Sequence, residues 1–114
     1  MINAVHTILY ARDAEAARAF FADVLGLHSV DAGGGWLIFA LPPAELAVHP
    51  AEEDTRQELY LMTDDLEVTL GTLREGGVAV TSEPSDQGWG VLASFEVPGF
   101  GPIGLYEPRH PVPR

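Results

Sequence analysis

Along this chain, hydrophobic and polar positions first alternate, then recur at helical spacing, then alternate again, and the whole pattern is run through twice. In the first pass Ala4 to Ala11 is β-favouring, and a period of two puts His6, Ile8 and Tyr10 on one side. Asp13 stands where a helix N-cap is needed. Ala17, Phe20, Phe21, Val24 and Leu25 then return at helical spacing until Gly26 supplies a left-handed stop. His28 to Asp31 reads as a short strand and Gly33-Gly34-Gly35 as a turn. Trp36 to Leu41 reads as a strand broken by Pro42-Pro43, and Glu45 to His49 resumes extended structure.

A polar connector between Pro50 and Arg56 separates this from the second pass. Leu59 to Thr63 is the next predicted strand, with Glu58, Tyr60 and Met62 sharing a side. Asp64 and Glu67 have the spacing of a capping box, and Leu66, Leu70 and Leu73 form one helical stripe that ends at Gly76-Gly77. Val78 to Thr81, Gly90 to Val97 and Ile103 to Tyr106 are the remaining strands, and the proline-rich end from Pro108 is expected to fray. The order is β-α-β-β-β, twice. It predicts an α+β domain of two βαβββ modules in tandem, residues 1–50 and 57–108, forming a curved sheet around a cavity with the helices outside. A unit of this size buries its apolar face only against a neighbour, so function is expected at the seam between the copies.

Composition narrows the chemistry. The 114 residues suit one domain, and 17 acidic against 6 basic side chains give a formal charge of −11. Such a chain repels phosphate backbones and anionic headgroups, which argues against nucleic-acid and membrane-surface partners. The absence of cysteine removes disulfides, thiolate zinc sites and cysteine nucleophiles. No apolar run approaches the ~20 residues of a membrane span, and a cytoplasmic location is expected. No serine sits in a glycine-flanked elbow, and the triple glycine lacks the lysine of a phosphate-cradling loop.

Three stretches resemble the vicinal oxygen chelate superfamily, which takes in glyoxalase, bleomycin resistance and extradiol dioxygenase proteins. They are His6-Thr7-Ile8-Leu9-Tyr10-Ala11-Arg12-Asp13, the helix from Ala17 through Phe20-Phe21 to Leu25-Gly26-Leu27, and Gly88-Trp89-Gly90. The resemblance runs from His6 to Pro108 and implies the glyoxalase-like fold. It also implies that the first and last strands of each half supply ligands to a divalent metal such as manganese, iron, nickel or zinc. His6 and Glu58 take two of those positions, and Glu45 or His49 a third. The fourth falls on Gly104, where metal-using relatives carry a glutamate; glycine offers no donor. Val97-Pro98-Gly99-Phe100-Gly101 departs too, from an Asp-Pro-Asp-Gly turn common among relatives.

Two functions follow from the resemblance. One is a protein that holds a small organic molecule in the cavity, with Tyr10, Trp36, Tyr60, Trp89 and Tyr106 as candidate ligand-binding residues. The other is a metal-dependent lyase, isomerase or dioxygenase acting on adjacent oxygens. In either case a homodimer is the expected assembly. His28 and His110 have no partner in this reading and are expected at the surface.

Overall fold

The structure, a computed structural model, describes residues 6–44, 47, 49–50, 53–54 and 57–111. Its order is α1 (Ala14–Ala19), a π turn (Phe20–Val24), β1 (Ser29–Asp31), β2 (Leu37–Phe39), β3 (Tyr60–Met62), α2 (Leu66–Glu75), β4 (Val80–Asp86), β5 (Gly90–Val97) and β6 (Gly101–Pro108). β1 and β2 form an antiparallel pair. The other strands form a sheet in the order β3-β6-β5-β4, with β3 parallel to β6 and the remaining pairs antiparallel. The elements after residue 57 run β-α-β-β-β, and the fold is α+β.

Strand periodicity decides which side of that sheet is greasy. Ala93, Phe95 and Val97 of β5 alternate with Leu92, Ser94 and Glu96, and the register opposes Ala93 to Leu105 and Phe95 to Ile103. Ala93, Phe95, Val97, Ile103 and Leu105 are all buried. Leu66, Leu70 and Leu73 of α2 pack on that face, and so do Ala17 and Phe20 from the first half. The rings of Phe20 and Phe95 lie 5.9 Å apart. Fully burying a side chain such as Phe95 or Leu70 contributes roughly 1.5–3 kcal/mol. The core therefore joins both halves of the sequence on one sheet face.

Local signals explain the element ends. Asp13 accepts a hydrogen bond from the Ala16 amide at 3.0 Å, as the N-cap reading requires. The π turn carries the helix on to Gly26 (φ 66°) and lets adjacent aromatics face different neighbours. Phe20 enters the core, while Phe21 meets Phe39 of β2 at 5.8 Å. α2 is capped by Asp65, whose Oδ1 accepts from the Val68 amide at 3.1 Å, and not by Asp64 as the capping-box spacing suggested. The reason is burial. Leu66 must open the helix to reach the core, which makes the preceding residue the cap. Glu107 of β6 adds a second cap by accepting from the Leu66 amide at 3.0 Å.

The first half departs from the prediction. Residues 6–11 form no strand; Leu9 and Ala11 lean on the core while Ile8 and Tyr10 point outward, 60% and 87% exposed. β1 and β2 are three residues each, and Glu45 to His49 lies largely outside the described residues. Of the stretch from Pro108 that was expected to fray, Pro108 ends β6 and Arg109 crosses the β4–β5 turn. There the Arg109 amide donates to the Trp89 carbonyl at 2.9 Å and its guanidinium pairs with Asp86 at 2.5 Å. The Gly88 amide, and then Arg109, hold the Asp86 carboxyl below its ordinary range.

The cap assignment gives a direct test. Asp65→Ala is expected to cost about 1 kcal/mol of unfolding free energy in urea denaturation, and Asp64→Ala close to nothing. Equal losses would return the cap to Asp64.

Candidate ligand-binding face

The sheet face opposite the helices carries the remaining side chains of each strand. Register sets Tyr60 beside Gly104, Met62 beside Tyr106, and Tyr106 beside Leu92, so these residues share one side. Tyr106 is 8% exposed yet stands apart from the helix-side core. It is the hub of an aromatic cluster. Tyr60 meets it edge-on at 5.9 Å and 85°, Trp89 meets it edge-on at 5.4 Å and 79°, and His110 lies tilted against it at 6.0 Å. Edge-to-face contacts of this kind fix ring orientation beyond what area burial alone would do. Tyr60 and Trp89 remain 38% and 45% exposed, so they flank Tyr106 as partly open walls over a buried floor.

Two glycines make room for these rings. A Cβ at position 104 would fall inside the envelope of the Tyr60 ring. At Gly90 a Cβ would sit 2.8 Å from the Glu107 carbonyl oxygen and 3.4 Å from the Tyr106 ring. Each glycine is therefore a clearance cut for a neighbouring strand. The Tyr60 hydroxyl donates to the Glu58 carboxylate two residues earlier. Glu58, Tyr60 and Gly104 line one end of a groove of ≈ 390 Å³ closed by Ile8, Phe100 and Pro102. A larger open hollow, ≈ 810 Å³, lies between α1 and Gly34-Gly35; it shares no lining residue with the aromatic face.

The candidate ligand-binding residues divide. Tyr60, Trp89 and Tyr106 come together. Trp36 does not join them: it is 70% exposed and holds the Arg18 guanidinium 5.4 Å from its ring, because the glycine turn delivers it to the α1 side. Tyr10 stands outward on the 6–11 segment. His110, expected to be a partnerless surface residue, is half-buried against Tyr106. Sequence gave no cue to it, since its position depends on the strap that Arg109 pins.

Of the candidate metal ligands His6, Glu58, Glu45 and His49, three lie among the described residues. Glu45 lies outside the described residues, and His6 and His49 are exposed. Among the described residues no three His, Asp or Glu side chains gather as a metal-sized cluster. At the fourth position the Tyr60 ring fills the space a side chain would need, and Glu58 is engaged by that tyrosine's hydroxyl.

These features place the chain in a known class. It belongs to the Glyoxalase/Bleomycin resistance protein/Dioxygenase superfamily, whose family model matches residues 3–108. Among solved structures it is similar to TnmS3, an antibiotic binding protein from Streptomyces sp. CB03234, at 28% identity and a TM-score of 0.64, covering 95% of this chain and 99% of that one. A glyoxalase/bleomycin resistance protein from the same Streptomyces strain is 29% identical at a TM-score of 0.60, over 86% of this chain and 94% of that one. Lactoylglutathione lyase from Agrobacterium tumefaciens shares the fold at a TM-score of 0.65, with 18% identity and coverage of 93% and 94%. No curated protein matches the sequence.

The glycine clearances predict a coupled energetic effect. Gly104→Ala should destabilise the protein by about 1–3 kcal/mol through overpacking against Tyr60. In a Tyr60→Ala background that penalty should largely vanish. A double-mutant cycle by chemical denaturation checks this, and additive losses would show that the ring does not depend on the glycine.

Proposed function

We propose that this chain binds a planar small organic molecule, without a resident metal, on the aromatic face formed by Tyr60, Trp89 and Tyr106. The observation that carries this reading is the arrangement of two partly open rings edge-on to a buried third, over glycines cleared for them. Concave sites that take small molecules combine apolar and aromatic walls with a few fixed polar groups, and Glu58, Tyr60 and His110 supply those here. The likeness to an antibiotic binding protein over nearly the full length of both chains supports the same class of ligand. The fold shared with a lyase carries no reaction by itself, since one scaffold hosts many functions.

In this reading the halves 1–50 and 57–108 are modules, and the aromatic face belongs to the second. A homodimer would cover the half-open walls, and a cytoplasmic location fits the cysteine-free composition.

Titration of a panel of planar polycyclic compounds, followed by tryptophan fluorescence, tests the proposal. A compound that quenches the wild type should bind Trp89→Ala about tenfold more weakly, the scale of a lost aromatic stack. Trp36→Ala should bind it unchanged. The reverse pattern would move the site to the α1 side. Separately, protein dialysed against manganese, iron, nickel or zinc should retain no stoichiometric metal. Stoichiometric retention that His6→Ala and Glu58→Ala abolish would restore the metal reading.

A further inference from the structure

The 6 basic side chains are all arginines, set against 17 acidic ones, so carboxylate partners are plentiful. Arg74 holds both oxygens of Glu83, and Arg109 holds Asp86. Arg12 and Arg18 pair with no carboxylate among the described residues. Both line the same place, the open hollow of ≈ 810 Å³ between α1 and Gly34-Gly35.

The nearby acids are used elsewhere. Asp13 Oδ1 accepts from the Ala16 amide as the α1 cap. Asp31 Oδ1 accepts from the Gly33 amide at 2.7 Å and the Gly35 amide at 3.3 Å, which holds the glycine turn. Glu15 precedes Arg18 by three residues, the spacing of a helical ion pair, yet the two do not pair. Arg18 lies instead over Trp36, 5.4 Å from the ring centre. Contact through a ring face engages the charge of a guanidinium and leaves its N–H edge unused. Next to the arginines the hollow is apolar, with Ala19, Ala22 and Leu37 in its wall.

We infer that this hollow is a second ligand site, and that it takes an organic monocarboxylate. The carboxylate meets Arg12 and Arg18, and the apolar body lies over Ala19, Ala22 and Leu37. A guanidinium fork matches the two oxygens of a carboxylate, and the volume is that of a small-molecule site. Glu15 on the rim tolerates one ligand charge better than two, which favours a carboxylate over a phosphate dianion. The formal charge of −11 disfavours polyanions further. The site is independent of the aromatic face, from which it takes no lining residue.

Calorimetry on the full chain at low salt tests this with adamantane-1-carboxylate, its neutral carboxamide and inorganic phosphate. The cage is not planar, which separates these probes from ligands of the aromatic face. The carboxylate should bind at least about tenfold more tightly than the carboxamide, the scale of one charge-assisted hydrogen bond. Added salt should weaken it, and phosphate should bind less tightly. Arg12→Gln and Arg18→Gln should each cost the carboxylate about tenfold and leave the carboxamide as it was. Neither arginine is buried, so these variants test the site and not the fold. Arg74→Gln removes the same charge from a paired position and should change nothing. Glu15→Gln should tighten the carboxylate by up to about fivefold. Equal binding of carboxylate and carboxamide, or no binding of the carboxylate, overturns the proposal. So does an equal loss in Arg74→Gln and Arg18→Gln, which would report net charge alone. Tightest binding by phosphate overturns the carboxylate assignment, and loss of the carboxylate in Trp89→Ala would put the probe on the aromatic face instead.

Discussion

The packing of Phe20 on Phe95 is the constraint from which the rest follows. Phe95 is completely buried at the centre of β5, and Phe20 reaches it from the other half of the chain. With Leu70 and Leu73 of α2 on the same side, one sheet face is committed to the helices. A strand's period of two then leaves no choice for the alternate residues. Leu92, Gly104, Tyr106, Tyr60 and Met62 must occupy the other face, because a slip of one residue would turn Phe95 and Ile103 out of the core. The candidate site is the reverse side of the core.

On that reverse side, aromatic bulk and glycine are matched position by position. The Tyr60 ring lies where a side chain at 104 would stand, and the Tyr106 ring lies beside Gly90. This gives the departure at Gly104 a physical content. A glutamate there could not coexist with Tyr60 in its present rotamer, and Glu58 has become a hydrogen-bond acceptor for that tyrosine. The position at which the resemblance implied a fourth metal ligand is here occupied by the Tyr60 ring. Exchanges of this kind show why a shared fold does not carry a shared reaction.

The C-terminal strap extends the same face by different means. Among its described residues none joins the helix-side core, and an ion pair and a backbone hydrogen bond hold it instead. Exposed pairs of this sort contribute little to global stability. Their role is local: they hold the strap where His110 meets the Tyr106 ring.

The sequence by itself determined the α+β class, the order of elements after residue 57, the helical stripe Leu66, Leu70 and Leu73, and the caps at Asp13 and Gly26. These are set by interactions within a few residues or by hydrophobic period, both of which a linear reading contains. It also named Tyr60, Trp89 and Tyr106, whose rings the fold brings into contact. The tertiary structure alone decided that Trp36 stacks on Arg18 instead, that Tyr10 faces outward, and that Asp65 rather than Asp64 caps α2. It alone brought His110 to Tyr106 and laid the Tyr60 ring over Gly104. Each of those depends on register between strands or on contacts between segments far apart in the chain, and neither is encoded in local spacing.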